Sequence, residues 1–312
     1  MKTIKPRALR RGDVIGICSP ASAPATDDAL ERGIRYLEGN GYRVELGKNV
    51  SLKRGYLAGT DTQRAADVNE LFGNRKVKAI IAARGGYGSQ RILPYLEYRL
   101  IRKHPKIFVG YSDLTALQLA LLTRTGLLTF SGPMVASELS SGFRGDSEDW
   151  FWRCLTSAKR LPSIRTGKAG KPGRGGRTTG EGRLIGGNLT MVAASVGTPY
   201  FPDISPSLLL LEEIDERPYR VDRMLRQIRL AGILSKVKGI VLGGFTGCKP
   251  DPGKPSLTLQ QIFDETFGES GCPVVRGLRY GHVKNFLTMP VGIRVRADAG
   301  RGRIVFLESA VS

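Results

Sequence analysis

The chain has 312 residues, 41% hydrophobic and 24% charged, and 48 Lys and Arg against 28 Asp and Glu give it a formal net charge of +20. That length accommodates two domains with their own cores, and the composition is that of a soluble globular protein. No apolar run approaches the ~18 residues that span a bilayer, the two histidines form no H-E-x-x-H, and neither a Walker A motif nor a G-x-G-x-x-G after a strand supports a nucleotide cofactor.

Lys2, Lys5, Arg7, Arg10 and Arg11 precede the apolar Val14–Cys18, as in a signal peptide, but the apolar stretch is too short and Asp13 interrupts it. Residues 13–18 therefore read as the first strand, and the protein as cytoplasmic. A small-residue turn, Ser19 to Pro24, leads to a helix carrying Leu30, Ile34 and Leu37, with Asp27 or Asp28 as its cap. Residues 42–46 form a short strand. Asp61 or Thr62 caps a helix through Ala65, Val68, Leu71 and Phe72. Residues 79–83 are a continuous apolar run, as expected of a central parallel strand, ending in Arg84-Gly85-Gly86-Tyr87-Gly88. Ser89 opens a helix with Ile92, Leu93 and Leu96.

The next stretch organises the chain. Ile107, Phe108 and Val109 are a buried strand, Gly110 permits a sharp turn, and Leu114, Leu117, Leu121 and Leu122 follow at helical spacing up to Gly126. Ser112 and Asp113, both good N-cap types, sit where the helix begins. Two readings are open for Ser112: an N-cap, or a nucleophile at a helix N-terminus, where free amides stabilise negative charge. Alternating strands and helices predict a doubly wound parallel α/β domain, in which ligands bind beyond the carboxyl ends of the strands.

Past Val135 the pattern changes. Residues 149–155 suit a short helix with an aromatic face. Between Lys159 and Arg183 lie Lys159, Arg160, Arg165, Lys168, Lys171, Arg174, Arg177 and Arg183, with Glu181 the only acid. Rich in glycine and aperiodic, this stretch reads as an exposed linker; no interleaved aromatics favour nucleic acid. Gly186-Gly187-Asn188-Leu189 enters a helix. Residues 207–212 are a buried strand ending in acids, and Pro218 opens a helix with Val221, Met224, Leu225 and Ile228. Strands at 237–242 and 273–278 flank a helix from Thr258 to Phe267, and Gly281-His282 follows the second strand. The segments around Met289–Val295 and Arg303–Leu307 alternate as exposed strands do. Cys18, Cys154, Cys248 and Cys272 lack C-x-x-C spacing and read as reduced thiols.

A serine nucleophile needs a base, and the base needs an acceptor to fix its tautomer. The base is His104, in a basic loop entering the strand before Ser112, or His282, in a glycine-flanked turn at a strand end. The acid lies among Glu212 to Glu216, although a structural link to Arg217, Arg220 or Arg223 is an adequate alternative for it. An ordinary surface histidine is the alternative for His282.

Taken in this order, Arg84–Gly88, Gly110–Ala116, Gly186–Leu189, Leu211–Glu216 with Tyr219–Leu225, and Gly281-His282 resemble the LD-carboxypeptidase family of serine peptidases. That family includes muramoyl-tetrapeptide carboxypeptidases and microcin C self-immunity peptidases. The resemblance implies a flavodoxin-like parallel-sheet N-terminal domain (1–140), a linker (141–182) and a smaller C-terminal α/β domain (183–312). It implies a triad of Ser112, Glu212 and His282, with Glu213 a minor candidate for the acid, and an oxyanion hole from the backbone amides of Gly86 and Asp113. The implied substrate is a murein tetrapeptide losing terminal D-alanine across an L,D-bond. No metal, organic cofactor, membrane or nucleic-acid partner is implied, and a homodimer fits the family. The alternatives are hydrolysis of an aminoacyl-nucleotide amide, with Trp150 or Trp152 stacking on a base, and a non-catalytic protein binding anions or nucleic acid.

Overall fold

The computed structural model describes residues 3–166, 171–172, 176–268 and 270–312; Lys2, Lys168 and Arg174 lie outside the described residues. Two compact units emerge. The first comprises Met1–Lys159, Leu287–Gly292 and Ser309–Ser312, and the second Arg160–Phe286 and Ile293–Glu308.

In chain order the elements up to residue 156 are β1 (Val14–Cys18), α1 (Asp27–Gly39), β2 (Arg43–Leu46), α2 (Asp61–Gly73), β3 (Val77–Ala82), α3 (Ser89–Ile92), α4 (Tyr98–Lys103), β4 (Ile107–Gly110), α5 (Thr115–Thr125), β5 (Thr129–Ser131) and α6 (Asp146–Thr156). They continue with β6 (Ile164–Arg165), β7 (Thr179–Asn188), α7 (Leu189–Ser195), β8 (Ser207–Ile214), α8 (Pro218–Leu230), α9 (Ile233–Lys236), β9 (Gly239–Thr246), α10 (Leu259–Phe267), β10 (Val274–Val275), β11 (Met289–Val291), β12 (Arg294–Asp298) and β13 (Arg303–Phe306).

The first unit is built on a sheet of order β11-β5-β4-β3-β1-β2. β2, β1, β3, β4 and β5 run parallel, which is the flavodoxin-like order, and β11 closes the edge antiparallel to β5. β1 and β4 are buried at every residue, because helices cover both faces of a parallel sheet. α5 is apolar nearly all round and buried accordingly, and Gly126, at φ 80, ends it in the left-handed conformation. The second unit has a sheet of order β10-β9-β8-β7-β12-β13-β6, parallel from β7 to β10 and antiparallel from β12 to β6. Among the described residues no helix is long and apolar enough to cross a membrane.

Several local expectations need correction. The preceding threonines, not Asp27 or Asp28 and not Asp61 or Thr62, cap the first two helices: Thr26 accepts from Ala29 N, and Thr60 forms a reciprocal capping box with Gln63. The helix expected from Ser89 to Leu96 stops at Ile92, where Leu93–Tyr95 tightens into a 3-10 turn around Pro94. Residues 141–182 do not form a continuous linker. They contain α6, the short β6 paired with β13, and the first residues of β7 paired with β12. Glycine is unfavourable in strands and arginine gives no alternating apolar pattern, so composition concealed these strands, which pairing with β12 and β13 imposes. β11 is fully buried in the first unit's sheet rather than exposed. Its Pro290 is tolerated on that edge, where one side needs no donor.

Candidate active site

In the first unit Ser112 follows β4 by two residues. Its φ is 62, in the left-handed region that non-glycine residues avoid at a cost of about 1–2 kcal/mol. Ser112–Leu114 forms a single 3-10 turn before α5, and no side chain caps either element. The capping role considered for Ser112 is therefore absent. A strained strand-to-helix turn that holds a serine out of the regular backbone path is the geometry of a nucleophile elbow.

Asp113 does not cap its own helix either. Its buried carboxylate accepts from Gly88 N (3.1 Å) and Ser89 N (2.8 Å), and Ser89 Oγ donates to Asp113 O (2.6 Å). Burial raises its pKa, and the bonds from Ser89 and Gly88 pull it back down. The β4 turn and the β3 loop are thereby stitched together. Their closeness also shows at Gly85, where a Cβ would stand 3.2 Å from Ser112 Cβ.

The same loop is clamped from β1. Ser22 N donates to Gly85 O (3.1 Å), while Ser22 Oγ accepts from Tyr87 N (3.2 Å) and donates to Tyr56 O (2.7 Å). Gly86 has φ +100, and a Cβ there would press within 2.7 Å of Ser22 Cβ, so only glycine fits. Among the described residues, the amides of Gly86 and Asp113 donate to no backbone acceptor. Two such donors beside Ser112 are what an oxyanion requires.

Arg64 completes the clamp. It is 1% exposed, although it sits on α2. Its guanidinium donates to Pro20 O, to Gly88 O (2.9 Å) and to the Asp61 carboxylate, which Arg91 also holds. One buried cation thus ties together the loops after β1 and β3. Sequence reasoning missed it, because an arginine on an amphipathic helix reads as a solvated residue.

In the second unit β8 ends in Glu212 and Glu213, both buried. A register shift in the β8–β9 pairing between Leu211 and Glu213 lets the two acids face different partners. Glu212 Oε2 lies 2.8 Å from His282 Nδ1 and accepts from His282 N at 3.1 Å. Among the described residues its other oxygen, Oε1, has no hydrogen-bond partner. An ionised carboxylate can only accept, so Nδ1 carries the proton and Nε2 is the basic nitrogen. Gly281, at φ +88, brings the His282 backbone onto the acid; a Cβ there would stand 2.5 Å from Glu212 Cγ and still nearer Oε2. Thr246 Oγ1 donates to His282 O (2.7 Å) and fixes the turn from the end of β9.

Glu213 is occupied differently. It accepts from Asn188 Nδ2 (2.8 Å), Thr190 N (2.8 Å), Thr190 Oγ1 (2.7 Å) and Ile214 N (2.9 Å). Burial raises its pKa against those bonds. It anchors the start of α7. Of the arginines weighed as partners for these acids, Arg220 pairs with Glu216, Arg217 pairs with Asp251, and Arg223 lies over the Tyr219 ring.

Residues 15–132 match the LD-carboxypeptidase N-terminal domain, and residues 181–297 match the LD-carboxypeptidase C-terminal domain. The chain belongs to the LD-carboxypeptidase family. It is 36% identical over 317 residues to the probable murein peptide carboxypeptidase of Bacillus subtilis (strain 168), covering 99% of this chain and 95% of that one. It is 29% identical to the microcin C7 self-immunity protein MccF of Escherichia coli, over 97% of this chain and 96% of that one. The crystal structure of muramoyltetrapeptide carboxypeptidase from Oxalobacter formigenes superposes with a TM-score of 0.84 at 36% identity, covering 93% of this chain and 97% of that one.

Other residues weighed from the sequence lie elsewhere or are engaged. His104 ends α4 and precedes β4, whereas Ser112 follows it, so the two stand at opposite ends of that strand. Trp152 stacks on Tyr42 with ring centroids 4.9 Å apart and donates to Tyr36 Oη, and Trp150 Nε1 donates to Thr288 O (2.8 Å). Trp152 therefore serves packing in this member of the LD-carboxypeptidase family. Within the basic stretch, Lys171 pairs with Asp264 (2.8 Å), and Glu181 pairs with Arg296 across the β7–β12 ladder. All four cysteines are free and buried.

Proposed function

We propose that the protein is a serine carboxypeptidase that releases terminal D-alanine from murein tetrapeptides by hydrolysing the L,D-amide bond. His282 Nε2 takes the proton of Ser112, whose oxygen attacks the scissile carbonyl. Glu212 holds Nδ1 and stabilises the imidazolium that forms. The amides of Gly86 and Asp113 receive the oxyanion. His282 then gives its proton to the leaving amine, and water, deprotonated by the same nitrogen, resolves the acyl-enzyme. The observation that carries this reading is the 2.8 Å contact of buried Glu212 with His282 Nδ1, which leaves Nε2 as the base.

The family supplies the reaction class, and two relatives' names supply the murein peptide. Murein tetrapeptides carry free carboxylates, which a chain of net charge +20 attracts. Action in the cytoplasm and as a homodimer belongs to the same proposal. Hydrolysis of aminoacyl-nucleotide amides has less support here, because Trp152 is already stacked on Tyr42 and Trp150 is tied through Nε1 to Thr288 O. The test is mass spectrometry of L-Ala-γ-D-Glu-diaminopimelate-D-Ala alongside an aminoacyl sulfamoyl adenosine. Loss of D-alanine from the first alone supports the proposal; cleavage of the second alone overturns it.

A further inference from the structure

The β3 loop carries a charge that the mechanism above leaves unused. Arg84 stands just past β3, one residue beyond Ala83, whose N donates to Cys18 O (2.8 Å). It is exposed, and among the described residues its one hydrogen bond is a long one, Nη1 to Ala23 O at 3.5 Å. Among the described residues no carboxylate pairs with it. Its neighbours differ: Arg64 and Arg91 share Asp61, and Lys48 is held by Glu70. The residue after Arg84, Gly85, is the one packed against Ser112. Three residues along, Tyr87 meets Tyr56 edge-to-face at 5.4 Å, so an exposed aromatic pair flanks the same loop.

A carboxypeptidase must read the free carboxylate that ends its substrate, or it would cut internal bonds as well. That carboxylate lies one residue beyond the scissile carbonyl, within about 4 Å along the chain. A cation on the loop that touches the nucleophile is placed for it, and a guanidinium suits it best, since its planar fork grips both oxygens.

We propose that Arg84 binds the terminal carboxylate of the substrate and so makes this site an exopeptidase. The assignment rests on Ser112 being the nucleophile. An unpaired exposed cation has no structural task to conflict with this one, and the long bond to Ala23 O is easily exchanged for a charge-assisted pair.

The experiment compares two peptides, the tetrapeptide ending in D-alanine and the same peptide ending in D-alaninamide. Each is tested with the full-length wild type, Arg84→Gln and Arg84→Lys. Wild type is expected to prefer the acid. Arg84→Gln should lower kcat/KM for the acid roughly 10- to 100-fold, mostly through KM, and leave the amide unchanged. Arg84→Lys should recover part of the loss. Equal losses on both peptides would mean that Arg84 only shapes the loop, and would overturn the assignment. So would a wild type that cleaves acid and amide alike, although Ser112 would stand. If Lys284→Gln, at an exposed lysine two residues after His282 in the chain, erases the preference and Arg84→Gln does not, the assignment is again overturned. A wild type inactive on both peptides overturns the murein-peptide reading and this inference with it, whereas Ser112 is then judged on the aminoacyl sulfamoyl adenosine.

Discussion

Gly281→Ala probes the acid–histidine pair without touching either partner. Two effects are expected. Alanine at φ +88 carries a backbone cost of about 1–2 kcal/mol. Its methyl would also stand 2.5 Å from Glu212 Cγ, so the acid must retreat about 1 Å to reach ordinary contact at 3.4 Å. Glu212 is 1% exposed and cannot swing into solvent. The retreat stretches its 2.8 Å contact with His282 Nδ1 toward about 3.7 Å, beyond hydrogen-bonding reach. Misplacing a triad acid costs on the order of 10²- to 10⁴-fold in kcat. The control is Gly197→Ala, at φ +84 with nothing within 4 Å of its Cβ, which bears the backbone cost alone. The assay is D-alanine release, with urea denaturation of each variant. A Gly281→Ala enzyme with wild-type kcat, or a Gly197→Ala enzyme equally impaired, would refute the reasoning.

Glu212→Gln should lose about 10³- to 10⁴-fold in kcat because the imidazolium loses its counter-charge, whereas Glu213→Gln should keep kcat within about tenfold and lose about 2–3 kcal/mol of stability, having surrendered part of a four-bond acceptor site. Kinetics and chemical denaturation of both variants check the contrast. Arg64→Lys, which keeps the charge but not the fork, should lower stability by about 2–4 kcal/mol and depress kcat more than it raises KM, because the Gly88 end of the loop after β3 loosens. Lys106 is buried, and its ammonium donates to Leu71 O and Asn74 O. Burial lowers its pKa from 10.5 to about 8. Below about 8 both states carry the charge, and the folded state bears the full cost of burying it. Between about 8 and 10.5 the unfolded chain binds more protons, so this group's contribution to stability rises with pH. The stability of wild type relative to Lys106→Met should therefore grow from pH 7.5 to pH 10 by on the order of 2–3 kcal/mol in urea titrations. A flat difference would contradict it.

The parts of this molecule legible in the sequence are those that local rules determine. The buried strand before Gly110, the helix that Gly126 ends and the alternation of strands and helices follow from periodicity and turn chemistry, and they place Ser112 at a strand end. Glu212 and His282 sit 70 residues apart, so their pairing depended on resemblance, not spacing. What stayed hidden depends on partners distant in the chain. Arg64 is buried only because the carbonyls of Pro20 and Gly88 converge on it. β11 belongs to the first sheet only because β5 offers it an edge. Asp113 looked like a cap for the helix it precedes, yet it serves the amides of another loop. Trp150 and Trp152 looked free for stacking because their partners, Thr288 and Tyr42, are far away in the chain.

The most direct test of the account is D-alanine release from L-Ala-γ-D-Glu-diaminopimelate-D-Ala, followed by mass spectrometry for wild type and Ser112→Ala. Release by wild type with none above background from Ser112→Ala is the predicted result. Release by both at similar rates would remove Ser112 as the nucleophile and contradict the account.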